Sequence, residues 1–156
     1  MRISILAVGQ RLPGWVNDGF ETYRQRLPKH LNAELIEVPA AARTSGMPAA
    51  KAMQDESVRL LKAIDPADHV VVLDERGKSW SSRDLAKELE QWQQYHPKVN
   101  IIIGGADGLD DACKQRANQT WSLSKLTLPH GLVRVLLAEQ LYRAWSLSQG
   151  HPYHRD

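Results

Sequence analysis

The sequence predicts an α/β fold, a mostly parallel sheet with helices on both faces. Two observations predict it. Short apolar, β-branched runs alternate with stretches of helical spacing along the chain, the order expected of βα units. The runs RISILAVG (2–9), HVVVLDERG (69–77) and VNIIIGG (99–105) are apolar on consecutive residues, as strands covered on both faces must be.

The elements follow in order. After the strand at 2–9, residues 14–29 place Trp15, Val16, Phe20, Tyr23 and Leu27 near one face of a helix. AELIEVP (33–39) is a second strand stopped by Pro39, and AARTSGMP is a loop. A helix over 48–64 carries proline in its first turn. The strand at 69–77 is followed by a helix over 81–96. That helix opens on a serine cap with acidic residues and spaces Leu85, Leu89 and Trp92 helically. The fourth strand (99–105) runs into glycines. DDACKQRA is one or two helical turns, TWSLS (120–124) a short fifth strand, and SKLTLPHG a loop. The last helix, 132–149, is capped by Gly150 and ended by Pro152.

That last helix is apolar almost all round, with Leu132, Val133, Val135, Leu136, Leu137, Leu141, Tyr142, Trp145 and Leu147. One sheet face buries only a stripe of about 100° on a helix. The remaining apolar area predicts a homodimer through this helix. Glu139 and Arg143 stand four apart in the favourable orientation.

Composition sets the outer bounds. A chain of 156 residues reads as one domain, residues 1–156. With 42% hydrophobic and 24% charged residues it has the make-up of a globular protein in water. No apolar run is long enough to span a bilayer, so no membrane role is expected. The first residues lack the longer apolar core of a signal peptide. The single cysteine, Cys113, excludes an internal disulfide and fits a reducing cytoplasm. On a short helix it reads as a small buried apolar group. A net charge of +2 admits a nucleic-acid partner but is not that of a protein gripping a long duplex alone.

In parallel sheets ligands sit beyond the carboxyl ends of the strands, here LDERG, IIGGADG and LSKLTLPHG. Gly104, Gly105 and Gly108 would let a ligand approach the backbone, or form a plain tight turn. The spacing matches neither a dinucleotide fingerprint nor a Walker loop. Asp74, Glu75 and Arg76 could hold a ribose, act as a base or ligate a metal, or lie in a solvated turn with local ion pairs. The loop 123–131 mixes apolar residues with Ser124, Lys125 and Thr127, and could wrap a flat ring while its backbone bonds the ring's edges. His130, His151, His154 and Asp156 match no zinc pattern, and Ser-His-Asp hydrolysis has no G-x-S-x-G elbow. The closing HPYHRD is dense in chemically able groups, yet chain ends usually fray.

LDERG, IIGGADGL, LSKLTLPHGLVRVLLAEQLYRA and HPYHR together resemble the RlmH (YbeA-type) branch of the SPOUT methyltransferases, and the match runs along essentially the whole chain. The resemblance implies a trefoil knot near the C-terminus, a feature periodicity would never suggest. It implies a homodimer through the C-terminal helix. It implies transfer of a methyl group from S-adenosylmethionine to N3 of a pseudouridine in 23S ribosomal RNA, on the assembled ribosome and without a metal. Carried over by position, the cofactor would contact Leu73, Gly104, Gly105 and the run Leu123, Ser124, Lys125, Leu126, Thr127 and Leu128. An imide nitrogen must lose its proton before it attacks. The tail offers His154 as base or base-assisting group, Arg155 as anion stabiliser or phosphate contact, and Tyr153 as a surface on which a base stacks. Glu75 competes as base. Arg24, Arg26 and Lys29 are candidates for ribosome contacts or a solvated helix face. The rival readings are a non-catalytic dimeric binding module and a flavodoxin-like nucleotide binder.

Overall fold

A computed structural model of the chain describes residues 1–154. Five strands, β1 (Arg2–Val8), β2 (Ala33–Val38), β3 (His69–Ser79), β4 (Lys98–Ile103) and β5 (Gln119–Ser122), form one sheet in the order β2-β1-β4-β3-β5. Every pairing of neighbours is parallel. The helices are α1 (Gly14–Arg24), α2 (Ala49–Lys62), α3 (Ser82–Tyr95), α4 (Asp111–Arg116) and α5 (His130–Ser148), with a 3₁₀ turn at Lys29–Leu31.

Alternation along the strands divides the core in two. Ile3, Ile5, Ala7, Val71, Ile101 and Ile103 meet Phe20, Leu85, Leu89, Trp92, Leu137 and Leu141, so α1, α3 and α5 cover one face. Leu6, Val8, Val70, Val72 and Ile102 meet Leu60 of α2 and Cys113 of α4 on the other. The consecutive apolar runs are therefore strands read from both sides.

The local signals act as their chemistry requires. Asp84 N–H donates to Ser81 Oγ and Ser81 N–H donates back to Asp84 Oδ2, both at 3.0 Å, a reciprocal cap on α3. Gly150, at φ +65°, ends α5, and His151 N–H returns to Ser146 O at 2.8 Å. Helix α1 stops at Arg24, short of the expected Lys29, because Pro28 disfavours helical backbone at Leu27. Strand β3 runs on to Ser79 through a register shift between Leu73 and Lys78. There a Cβ on Gly77 would lie 2.8 Å from the backbone of Thr120 and Trp121, so only glycine lets the two strands approach this closely.

Helix α5 is covered within its own chain more fully than a single sheet face could achieve. It lies between α1 and α3, and Val135 packs against Gly19 of α1. Leu137, Ala138, Leu141, Tyr142 and Ala144 are buried, while Leu132, Leu136, Trp145 and Leu147 stay half-buried.

Candidate functional site: a cavity at the carboxyl edge of the sheet

Parallel strands deliver their carboxyl ends to one edge, so three loops remote in sequence converge there. The irregularity within β3 after Leu73 supplies Leu73, Asp74, Glu75 and Arg76, and the β4 end supplies residues 103–109. The segment after β5 supplies Leu123, Ser124, Leu126, Thr127 and Leu128. Met53 of α2, Lys114 of α4, and His130 and Val133 of α5 complete a cavity of about 510 Å³. That volume lies in the range of small-molecule sites.

The glycine turn is tightly built. Gly108 N–H donates to Gly105 O at 3.0 Å, and Gly105 and Gly108 form an isolated antiparallel bridge. A Cβ on Gly104 would stand 2.9 Å from Gly108 C, and one on Gly105 would stand 2.9 Å from Val8 Cγ1. Side chains are therefore excluded at both positions, and backbone is left facing the cavity.

The 123–128 loop is held by its own hydroxyls. Leu126 N–H donates to Ser124 Oγ at 2.9 Å, and Ser122 Oγ donates to Ser124 O at 3.0 Å. Leu123 and Leu128 are half-buried against the cavity, whereas Leu126 is exposed. The apolar walls and inward backbone fit a flat heterocycle with polar edges, such as the adenine of S-adenosylmethionine.

The charged rim has an internal order. Asp74 pairs with Lys114 at 3.2 Å. Burial alone would raise its carboxyl, but the Arg76 N–H and the Lys114 ammonium outweigh burial and hold it below the ordinary value. Glu75 is exposed, lines the cavity and accepts from Thr127 Oγ1 at 3.2 Å.

Of the residues assigned to the cofactor from the resemblance, all except Lys125 line this cavity. Lys125 is exposed. Tyr153 and His154 do not line the cavity. Tyr153 donates its hydroxyl to Glu139 Oε1 at 3.0 Å, packs at a tilt against the Tyr142 ring with centroids 4.7 Å apart and lies under the Arg143 guanidinium. Burial and the Glu139 carboxylate push its phenol up to about 12, so it stays protonated at neutral pH. Arg143 Nη1 donates to His154 O at 3.2 Å. Arg143 is ten residues along α5 from Val133 at the cavity, ~15 Å along the axis. Among the described residues, His154 Nδ1 is buried without a hydrogen-bond partner. Arg155 lies outside the described residues.

Other candidates are engaged locally. Arg24 pairs with Glu21 at 2.7 Å, and the Arg26 guanidinium lies over the Tyr23 ring. Burial pushes the Cys113 thiol up, and it donates to Ser57 Oγ at 3.3 Å, as a structural cysteine does. Among the described residues no group of three or more His, Cys, Asp or Glu could hold a metal ion, and no helix is long and apolar enough to cross a membrane.

Several site residues escape sequence reasoning. Nothing singles out His130 within the 123–131 loop beyond a zinc pattern it does not match, yet it lines the cavity. Met53 and Lys114 reach it from helices on the opposite face, and no local pattern announces that.

The chain resembles known proteins along its length. It is 50% identical over 156 residues to a protein of Hahella chejuensis named ribosomal RNA large subunit methyltransferase H, covering both chains completely. The protein of the same name from Saccharophagus degradans is 50% identical over 99% of this chain and 100% of its own. A probable methylase family protein from Haemophilus influenzae superposes with a TM-score of 0.60 at 15% identity, covering 96% of this chain and 69% of that one. A probable methyltransferase from Bordetella pertussis gives 0.57 at 17% identity, covering 91% and 95%. These two share the fold. The family model described as Predicted SPOUT methyltransferase matches residues 1–154. With its strand-end cavity and a match that spans the sheet and all five helices, the chain belongs to the SPOUT methyltransferase family.

Proposed function

We propose that this protein is an S-adenosylmethionine-dependent methyltransferase of large-subunit ribosomal RNA. In this reading it methylates N3 of a pseudouridine in 23S RNA on the assembled ribosome, in the cytoplasm. The observation that carries the reading is the convergence of three strand-end loops on one cavity, in a chain half identical to relatives named for large-subunit RNA methylation. When bound, S-adenosylmethionine supplies a methyl group already activated on a sulfonium. Leu73, Leu123 and Leu128 would wall the adenine, and the backbone at Gly104, Gly105 and 124–127 would meet its edges and the methionine end. What the chain must add is in-line placement, worth roughly 7–11 kcal/mol, and removal of the imide proton.

The reading includes the whole chain as one domain and a trefoil knot near the C-terminus. It also includes a homodimer through α5, supported by the half-buried Leu132, Leu136, Trp145 and Leu147. Because Tyr153 and His154 do not line the cavity of their own chain, HPYHR would serve the cavity of a second copy. There His154 would assist proton removal, Arg155 would stabilise the anion or hold a phosphate, and Tyr153 would offer its ring to the target base. Exposed Arg76 and Lys125 would face the RNA.

The test is methyl transfer from labelled S-adenosylmethionine to free large subunits and to whole ribosomes, followed by mapping of the labelled nucleotide. Labelling of one pseudouridine in whole ribosomes is expected. Saturating S-adenosylmethionine, at about 100 times its dissociation constant, should also stabilise the native state by about 2.7 kcal/mol. Absence of both the label and the melting shift would leave a non-catalytic module.

The base is settled by a matched pair of variants assayed over a range of pH. His154→Ala is expected to slow transfer by roughly 10²-fold, the ordinary contribution of a general base. Full activity with unchanged pH dependence in His154→Ala, with loss in Glu75→Gln, assigns the proton to Glu75.

A further inference from the structure

The irregular segment 39–48 carries no part of the site described above, yet its Arg43 is bound on three sides. Nη1 donates to Glu56 Oε2 at 2.8 Å and to Ala41 O at 3.0 Å. Nη2 donates to Glu56 Oε1 at 3.2 Å, and Nε donates to Asp107 Oδ2 at 3.0 Å. Glu56 is a carboxylate on the inner side of α2, only 1% exposed, and its Oε2 also accepts from Ala41 N–H at 3.0 Å. A charge so deeply buried needs a hydrogen-bonded counter-ion, and Arg43 supplies it bidentately.

The same carboxylate stands beside the glycine turn. Glu56 Oε1 lies 3.2 Å from where a Cβ on Gly105 would stand. Asp107, in the same turn, lines the cavity and is gripped by the other edge of the guanidinium. One planar cation thus joins an anchor in the core to the loop that bounds the cavity.

We infer that Arg43 is a positioning residue for the cofactor site, tying Asp107 of the glycine turn to buried Glu56 and so holding the 104–108 backbone in its ligand-ready shape. The inference rests on the reading of the cavity as an S-adenosylmethionine site. Its physical basis is preorganisation: a loop already fixed loses less freedom when ligand arrives. Arg43 makes no cavity wall itself and acts through Asp107.

The experiment titrates the full chain with S-adenosylmethionine in a calorimeter and records melting without ligand. The variants are Asp107→Asn, Arg43→Gln, Arg43→Lys, and the double variant Arg43→Gln with Asp107→Asn. Asp107→Asn, at an exposed position, is expected to keep the wild-type melting temperature while weakening binding about tenfold. Arg43→Gln weakens binding at least as much, the double variant binds no worse than Arg43→Gln, and Arg43→Lys recovers part of the loss. In turnover on ribosomes the KM for S-adenosylmethionine rises while kcat at saturation stays near wild type. Unchanged affinity in Asp107→Asn, or losses that multiply in the double variant, overturns the inference. If Arg43→Gln does not fold, Asp107→Asn and Arg43→Lys decide. Failure of the wild-type protein to bind S-adenosylmethionine overturns the underlying reading instead.

Discussion

Replacement of Arg134 by leucine is expected to cost the folded state about 3 kcal/mol, the lower end of the range for breaking a buried ion pair by removing one partner. Arg134 projects from α5 beneath the carboxyl end of β1 and is fully buried. Its Nη1 pairs with Glu37 of β2, and its Nη2 donates to Gly9 O at 2.9 Å and Val8 O at 3.4 Å. A leucine fills part of the space but returns none of those bonds. Two carbonyls and a carboxylate would then lack their donor, although Glu37, 32% exposed, can partly rehydrate. Urea unfolding checks this: the midpoint should fall with the slope unchanged. Adding Glu37→Leu should recover part of the loss, since apolar pairs often replace buried ion pairs without penalty. An unchanged midpoint in the single variant would show that the guanidinium contributes nothing net.

Gly104→Ala is expected to lower S-adenosylmethionine affinity about 100-fold, equivalent to about 2.7 kcal/mol, with the far-ultraviolet spectrum retained. The added methyl would stand 2.9 Å from Gly108 C, 3.1 Å from Gly108 O and 3.0 Å from Leu109 Cγ. Two of these are backbone atoms, so no rotamer change relieves the contact and the turn must open. Gly14→Ala is the control, because nothing lies within 4 Å of a Cβ there and the residue opens α1. Calorimetric titration of both variants should separate them clearly. Equal affinities would show that the turn tolerates a side chain and does not shape the site.

Much of the fold is legible because its signals are local. Consecutive β-branched residues in HVVV and NIII marked strands buried on both faces, and Ser81 with Asp84 marked the start of α3. Glycine and proline after Gln149 marked the end of α5. The misjudged boundaries also have local reasons, since Pro28 shortened α1 and the bulge after Leu73 carried β3 on to Ser79. The cavity loops were legible for a topological reason. Once the strands are parallel, LDERG, IIGGADG and the 123–128 run must share an edge.

What sequence could not show depends on contacts between residues far apart in the chain. Arg43 meets Glu56 thirteen residues away and Asp107 sixty-four away, and each residue alone reads as an ordinary surface charge. The excess apolar surface of α5 pointed outward, but α1 and α3 cover much of it within the chain. Tyr153 settles on Glu139, Tyr142 and Arg143, because α5 carries those partners on the face to which the chain returns after Gly150.

Strand and helix order, the candidate edge and the glycines that bare it were thus determined by sequence alone, through periodicity and side-chain size acting over a few residues. Which charges lie buried, which carboxylates Arg43 joins and where Tyr153 lies were decided only in the tertiary structure. Those depend on desolvation and pairing, which arise when distant segments are brought into contact.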